Sequence, residues 1–196
     1  MTTGRLEAFS DGVIAILITI MVLELRLPDG TDWSALRASV PGLLTYVLSF
    51  VFLGIYWNNH HHMLHMGGRS TGAILWANMH LLFWLSLVPF ATSWMEETHL
   101  HDGHYLPVPV AAYGIVLLAS AVAYFILQQA IIASQGPHSK LKAALGRDLK
   151  GKASPVLYAA AIGLAFVAPW MALAIYVAVA LIWLVPDRRI ESRLES

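Results

Sequence analysis

Long apolar stretches separated by short polar segments run the length of this 196-residue chain. A helix crosses the roughly 30 Å hydrocarbon core of a bilayer with about 20 residues. Five stretches are long enough by this measure: Leu6–Leu27, Pro41–His62, Ala73–Met95, Val108–Ala133 and Val156–Val185. The pattern therefore predicts an all-α integral membrane protein.

The last stretch, Val156–Val185, has 30 residues, which is long for one span and short for two. Pro169 lies near its middle, where a proline breaks or kinks a helix. The segment before the stretch and the tail after it are both rich in Lys and Arg, which collect in cytoplasmic loops. An even number of crossings must then separate the two segments, so the stretch is predicted to be a two-helix hairpin.

The predicted fold is one domain, residues 1–196, with six transmembrane helices and both termini in the cytoplasm. The helices are expected at approximately residues 6–27, 41–65, 73–97, 107–134, 154–168 and 170–186. This arrangement leaves ten basic residues inside and two outside. The segment Gln135–Ala153 is predicted to be a cytoplasmic loop with a short amphipathic helix at Lys140–Leu149.

Composition agrees with the membrane class and excludes several functions. Hydrophobic residues make up 58% of the chain and charged residues 12%, about half the usual charged share of a soluble domain. The absence of cysteine excludes disulfides, thiol redox centres and Cys-based zinc sites. A net charge of zero argues against nucleic acid as a partner. The expected surroundings are the lipid bilayer.

The first predicted helix has an apolar stripe on one side and a carboxylate, Asp11, on the other. The residues of the stripe share one sector of the helical wheel: Phe9, Gly12, Ile16, Thr19, Ile20, Leu23 and Leu27. The stripe is either a lipid-facing packing surface or the lining of a pore, in which apolar rings gate by dewetting and hydroxyls replace ion hydration. A carboxylate at a membrane helix is costly unless it is paired, so Asp11 is expected to face neighbouring helices.

Histidines and a tryptophan cluster at the end of the second predicted helix, at the level of Asp11. His61 and His65 are four residues apart and share a helix face, which is compatible with a metal ligand pair. A third ligand is not evident, so no metal site is expected. A histidine that pairs with Asp11, with Trp57 packed beside it, is favoured instead.

Three motifs resemble one known family. They are Arg5-x-x-x-Phe9-Ser10-Asp11-Gly12 followed by Ile14-Ala-Ile16-x-Ile18-Thr19, then Trp57-x-x-His60-His61, then Asn78 with Leu87-x-Pro89-Phe90-x-Thr92. The chain is similar in these motifs to the prokaryotic branch of the transmembrane protein 175 family of potassium channels. The resemblance covers the whole chain in helix number and order.

The resemblance implies a potassium-selective channel without a Thr-Val-Gly-Tyr-Gly filter, with no cofactor and no enzymatic activity. It implies a homotetramer in a prokaryotic plasma membrane, with the first helix of each copy lining the pore. Ile16 would form the main hydrophobic constriction, with Thr19 and Ile20 about one turn outward and Leu23 about two. The remaining motif residues would form a structural network between helices: Arg5, Phe9, Ser10, Asp11, Trp57, His60 and Asn78.

Two other classes remain open from the residues alone. A proton-coupled or metal-ion secondary transporter would use Asp11 and the histidines of the second helix. Such a carrier needs titratable groups along its path, whereas the stripe is nearly all aliphatic, which favours a channel. An intramembrane enzyme would need a third metal ligand or a nucleophile beside the histidines.

Overall fold

The computed structural model describes residues 3–67, 70–102, 104–145 and 148–184, and its regular secondary structure within these ranges is helical. The helices are α1 (Thr3–Glu24), α2 (Trp33–Ala38), α3 (Val40–Gly67), α4 (Gly72–Ser86), α5 (Val88–Asp102), α6 (Pro107–Gln135), α7 (Lys140–Leu145), α8 (Leu149–Ala165) and α9 (Pro169–Leu184). A 3-10 turn, Gly136–His138, joins α6 to the segment before α7.

Four helical segments in the described part of the chain are long and apolar enough to cross a membrane. They are Thr3–Glu24, Val40–Gly67, Gly72–His99 and Pro107–His138. Helix α9 is apolar but shorter. In hydrocarbon every backbone polar group must be satisfied within the protein, and the helix does this along its own length. The all-α membrane class is therefore confirmed.

The third predicted span is kinked rather than straight. It comprises α4 and α5, which meet at Leu87, whose N–H donates to the carbonyl of Trp84 at 3.2 Å. Pro89 lies just beyond the break and has no N–H to continue the regular ladder. Helix α5, the second part of the segment, packs against α1, α3 and α6.

The predicted loop Gln135–Ala153 is largely helical, and this is a correction. Helix α7 ends at Leu145, and α8 begins at Leu149, five residues before the predicted start at 154. Asp148 caps α8 by accepting a hydrogen bond from the N–H of Gly151 at 3.0 Å. Two lysines in the first turn of α8 lower its hydropathy, which is why the sequence pattern missed this start. The predicted residues 185 and 186 of the last helix lie outside the described residues.

Helix α6 forms the centre of the packed core, between α4 and α8. Its buried face includes Tyr113, Gly114 and Leu117. The ring of Tyr113 lies 5.6 Å from that of Tyr176 on α9, centroid to centroid. Gly114 allows this approach, because a side chain there would collide with Tyr176.

Helix α1 packs on α3, α4 and α5 through a single face. The buried residues of this face recur every three or four positions: Leu6, Ser10, Ile14, Leu17 and Met21. That spacing is the period of one helical face, so the opposite side of α1 is left uncovered by its own chain.

Gly114→Ala should lower the free energy of unfolding by about 1–3 kcal/mol through overpacking. The new Cβ would lie 2.8 Å from Cζ of Tyr176 and 2.8 Å from Cγ1 of Ile162, well inside normal carbon contact. Tyr176 is fully buried, and its hydroxyl donates to the carbonyl of Val110 at 3.2 Å. The ring therefore cannot move aside freely. The thermal unfolding midpoint in detergent measures the effect.

Gly163→Ala is the matched control, because no heavy atom lies within 4 Å of its added Cβ. Alanine is the better helix former, so this variant should be unchanged or up to about 1 kcal/mol more stable. Equal losses at the two positions would show that the Tyr176 contact is not the cause.

Candidate functional site

The uncovered side of α1 carries the predicted stripe from Phe9 to Leu23, whereas Leu27, its last predicted member, lies three residues beyond the end of the helix at Glu24. Ile16 is 57% exposed and Leu23 is 82% exposed, although both belong to a highly apolar span. The other stripe residues are exposed as well: Phe9, Gly12, Thr19, Ile20 and Leu27. No heavy atom lies within 4 Å of a Cβ built on Gly12. One chain therefore presents a continuous apolar surface from Phe9 to Leu23, about four turns long, on which Thr19 supplies the polar group.

The Thr19 hydroxyl donates to the carbonyl of Ile16, one turn earlier, at 2.8 Å. This bond orients the hydroxyl and leaves its oxygen lone pairs as acceptors. A cation or a water molecule in front of the stripe would use those lone pairs. The geometry therefore allows Thr19 to act as an ion or water ligand without losing its bond to its own helix.

A buried polar chain joins the other side of α1 to α4 and α3. Ser10, Asn78 and His60 are each fully buried. The Asn78 amide donates to Oγ of Ser10 at 3.0 Å, and Nε2 of His60 lies 2.7 Å from Oδ1 of Asn78. The Ser10 hydroxyl donates to the carbonyl of Leu6 at 2.9 Å. The direction of the Asn78 amide makes Nε2 of His60 the donor.

Two further contacts link α1 to α3 beside this chain. Nε1 of Trp57 donates to Oδ1 of Asp11 at 3.1 Å. Nδ1 of His61 lies 2.5 Å from Oε1 of Glu7. The expectation that a histidine pairs with Asp11 is therefore wrong: Trp57 is the partner, and the histidine pairs with Glu7. A carboxylate one turn before Asp11 was the signal that sequence reasoning missed.

Five of the seven predicted network residues thus make side-chain contacts between helices. The structure brings Ser10, Asn78 and His60 into one group, and Asp11 and Trp57 into another. Arg5 and Phe9 are exposed on α1. Within the described ranges, no hydrogen bond or ion pair joins Arg5 to the other network residues. The contacts within the chain therefore account for five members of the motif and leave these two on the uncovered side.

The C-terminal end of α1 is attached to α5 by a second polar group that the sequence did not predict. Ser93 donates to Oε2 of Glu24 at 2.6 Å, and Arg26 forms an ion pair with Glu97 at 2.7 Å. Glu96 is buried against Gly42, where a Cβ would meet its carboxylate. Both ends of α1 are therefore fixed to the helices behind it.

Metal binding finds little support in the described part of the chain. The rings of His61 and His65 are stacked, with centroids 6.2 Å apart. No group of three His, Cys, Asp or Glu side chains among the described residues is arranged to hold a metal ion.

Comparison with known proteins places these features in a family. The family described as "Endosomal/lysosomal potassium channel TMEM175" matches residues 5–89, which contain α1, α3 and α4. A protein of Chryseobacterium sp., named "Potassium channel HX13_20290", is 51% identical over 196 residues, covering 100% of both chains. The chain belongs to the TMEM175 family. The resemblance noted in the sequence motifs is thereby confirmed.

Solved and vertebrate members of the TMEM175 family extend the comparison. The crystal structure of "a lysosomal potassium-selective channel TMEM175 homolog" from Chamaesiphon minutus superposes with a TM-score of 0.77, at 28% identity. The match covers 93% of this chain and 96% of that one. The human "Endosomal/lysosomal proton channel TMEM175" is 33% identical over 103 residues, 46% of this chain and 20% of its own length.

Asn78→Leu should destabilise the folded protein by about 1–3 kcal/mol while keeping a similar volume. It leaves Nε2 of His60 and Oγ of Ser10 without their Asn78 partner in a low-dielectric interior. The measurement is the thermal unfolding midpoint of the purified protein in detergent. Adding Ser10→Ala to Asn78→Leu should cost less than the sum of the single changes, because both remove the same hydrogen bond.

Asn58→Leu, the same substitution at an exposed asparagine of α3, serves as the control and should leave the midpoint nearly unchanged. Additive effects of Ser10→Ala and Asn78→Leu would contradict a connected chain.

Proposed function

We propose that this protein conducts potassium passively through a pore lined by α1 from four copies of the chain. The observation that carries the proposal is the two-sided character of α1. One face is fixed by buried polar and apolar contacts, and the other is an uncovered apolar stripe with one hydroxyl, Thr19. The potassium channel names of the bacterial relatives support the same function.

The geometry of a single chain supports assembly into an oligomer. The stripe of α1 has protein behind it and none of its own chain in front, so one copy cannot enclose a path along it. A closed ring of identical subunits is the usual solution for homo-oligomers, and four helices around an axis leave a narrow channel. Arg5 and Phe9, on the uncovered side, are then available to neighbouring copies.

The proposed gate is a ring of Ile16 side chains. An aliphatic ring too narrow for a hydrated cation loses its water, and the ion cannot shed its shell without replacement ligands. Thr19 supplies such ligands one turn further out, and Leu23 forms a second apolar ring beyond it. Ile20 lies between these levels and narrows the same surface.

Orientation in the membrane follows the distribution of basic residues. The segment that contains α7 and the start of α8 carries the lysines of the chain, which favours the cytoplasm. Six crossings with both termini in the prokaryotic cytoplasm fit this distribution, with α8 and α9 as the final hairpin. At about 1.5 Å per residue these helices are roughly 25 Å long, which is short for a full span.

The apolar stripe of α1 gives little support to a transporter or an enzyme function. Titratable groups near α1 lie on its packed face or at its ends, as Asp11, Glu7 and Glu24 do, rather than along the apolar stripe. Conduction along a stripe without titratable side chains needs no coupled protonation. The TMEM175 family is a family of ion channels, and a catalytic role for this chain has no support from its contacts.

Ile16→Asn should raise potassium flux and weaken selectivity over sodium, because a polar ring keeps the constriction wet. Flux into proteoliposomes, with potassium and sodium gradients compared, is the measurement. Val22→Asn is the matched control: Val22 is also exposed on α1 but lies outside the stripe. If Ile16→Asn and Val22→Asn behave alike, the stripe is packing surface and the gate lies elsewhere.

Thr19→Val should lower the preference for potassium while leaving the assembled protein intact. The substitution keeps the shape of the side chain and removes the hydroxyl oxygen that the ion or its water shell would use. Selectivity is read from the reversal potential in planar bilayers. Thr19→Ser, which keeps the hydroxyl, should retain selectivity; loss in both variants would assign the effect to shape rather than to the oxygen.

A further inference from the structure

All four lysines of the chain lie within thirteen residues, at positions 140, 142, 150 and 152. They belong to α7 and to the first turn of α8. Lys140, Lys142 and Lys152 are exposed. The N–H of Asp148 donates to the carbonyl of Leu145, the last residue of α7, at 3.1 Å. We call α7 and the first turn of α8 the lysine platform.

The α7 half of the lysine platform is held rigidly by one glutamine. Gln135, at the end of α6, donates to the carbonyl of Met66 on α3 at 2.5 Å. Its Oε1 accepts from the hydroxyl of Ser139 at 2.6 Å and from the N–H of Leu141 at 3.2 Å. Ser139 in turn accepts from the N–H of Lys142, and Leu141 is buried. The lysines of α7 are therefore carried on a fixed support.

The α8 half combines positive charge with an exposed apolar surface. Leu149 is 72% exposed and Val156 is 68% exposed. Lys152 lies between them on the same helical face, since residues three and four apart are neighbours. This row of Leu149, Lys152 and Val156 on the exposed face of the proposed membrane hairpin suits a position at the boundary between acyl chains and headgroups. A lysine there extends its stem along apolar surface and its ammonium to the headgroups.

Helix stability does not explain these charges. Cations are unfavourable in the first turn of a helix, where the macrodipole is positive. Two lysines nevertheless occupy the first turn of α8, after the Asp148 cap. An anionic surface outside the protein would complement the positive charge of the exposed Lys140, Lys142 and Lys152.

We propose that the lysine platform binds anionic phospholipid headgroups of the cytoplasmic leaflet. Two features favour lipid as the ligand. The lysines complement anionic headgroups in charge, and Leu149 and Val156 are continuous with an apolar membrane-facing surface. The proposal rests on the orientation given under Proposed function and not on the pore. Each lysine near an anionic surface contributes about fivefold to affinity.

The test is lipid binding by the purified, full-length, assembled protein. Dioctanoyl phosphatidylglycerol and dioctanoyl phosphatidylcholine are titrated separately, and the thermal unfolding midpoint is followed. Phosphatidylglycerol should raise the midpoint and phosphatidylcholine should not, because a ligand that binds the folded state stabilises it. Lys142→Gln with Lys152→Gln should weaken the phosphatidylglycerol response by on the order of 10- to 30-fold in concentration.

Two control variants test whether the charge of these lysines causes the response to phosphatidylglycerol. Arg37→Gln removes an exposed charge from α2 and should leave the response to phosphatidylglycerol unchanged. The double variant Lys142→Arg with Lys152→Arg keeps both positive charges and should retain the response to phosphatidylglycerol. Because this readout is binding rather than flux, a failed channel assay and a failed lipid assay are distinguishable.

Several results would overturn the proposal. Equal responses to the two lipids in the wild-type protein would exclude charge recognition. An equal effect of glycerol 3-phosphate would assign the site to a free anion. A full response in the double glutamine variant would exclude these lysines, and loss of the oligomer in that variant would make the surface an interface between copies.

Discussion

The hydrogen-bonded chain of Ser10, Asn78 and His60 is the constraint on which the rest of the structure depends. All three side chains are fully buried within a helix bundle whose surroundings are apolar. Water cannot satisfy them there, so they hydrogen-bond to one another and to the carbonyl of Leu6, while Nδ1 of His60 has no hydrogen-bond partner among the described residues. Their hydrogen bonds favour the rotation of α1 about its own axis that places Ser10 against Asn78 of α4. That rotation decides which side of α1 is packed and which side is left open.

The open side follows directly from the packed side. With Ser10 facing Asn78, the residues on the opposite side of the helix, Ile16 and Leu23 among them, cannot contact their own chain. Contacts of Glu24, the last residue of α1, and of Arg26 just beyond it join the C-terminal end of the helix to α5. A rigidly oriented helix suits a constriction, because the width of an apolar ring decides whether water stays in it.

The sequence predicted the class of fold, the stripe and most of the network, because each has a strong local signal. Helical periodicity revealed the stripe, and the motifs around Ser10, Trp57 and Asn78 supplied the network. The break at Leu87 was not predicted, since Pro89 is compatible with either a kink or a helix start. The contact between Glu7 and His61 depends on tertiary structure, and the early start of α8 depends on its Asp148 cap; hydropathy registers neither.

The central claim is that the uncovered stripe of α1 faces the permeating ion. The chain has no cysteine, so single cysteines can be introduced without background. Leu23→Cys and Val22→Cys alter adjacent exposed residues on different sides of α1. The account predicts that a charged methanethiosulfonate reagent in the aqueous phase changes potassium flux through Leu23→Cys and leaves Val22→Cys unaffected. A change confined to Val22→Cys would contradict it.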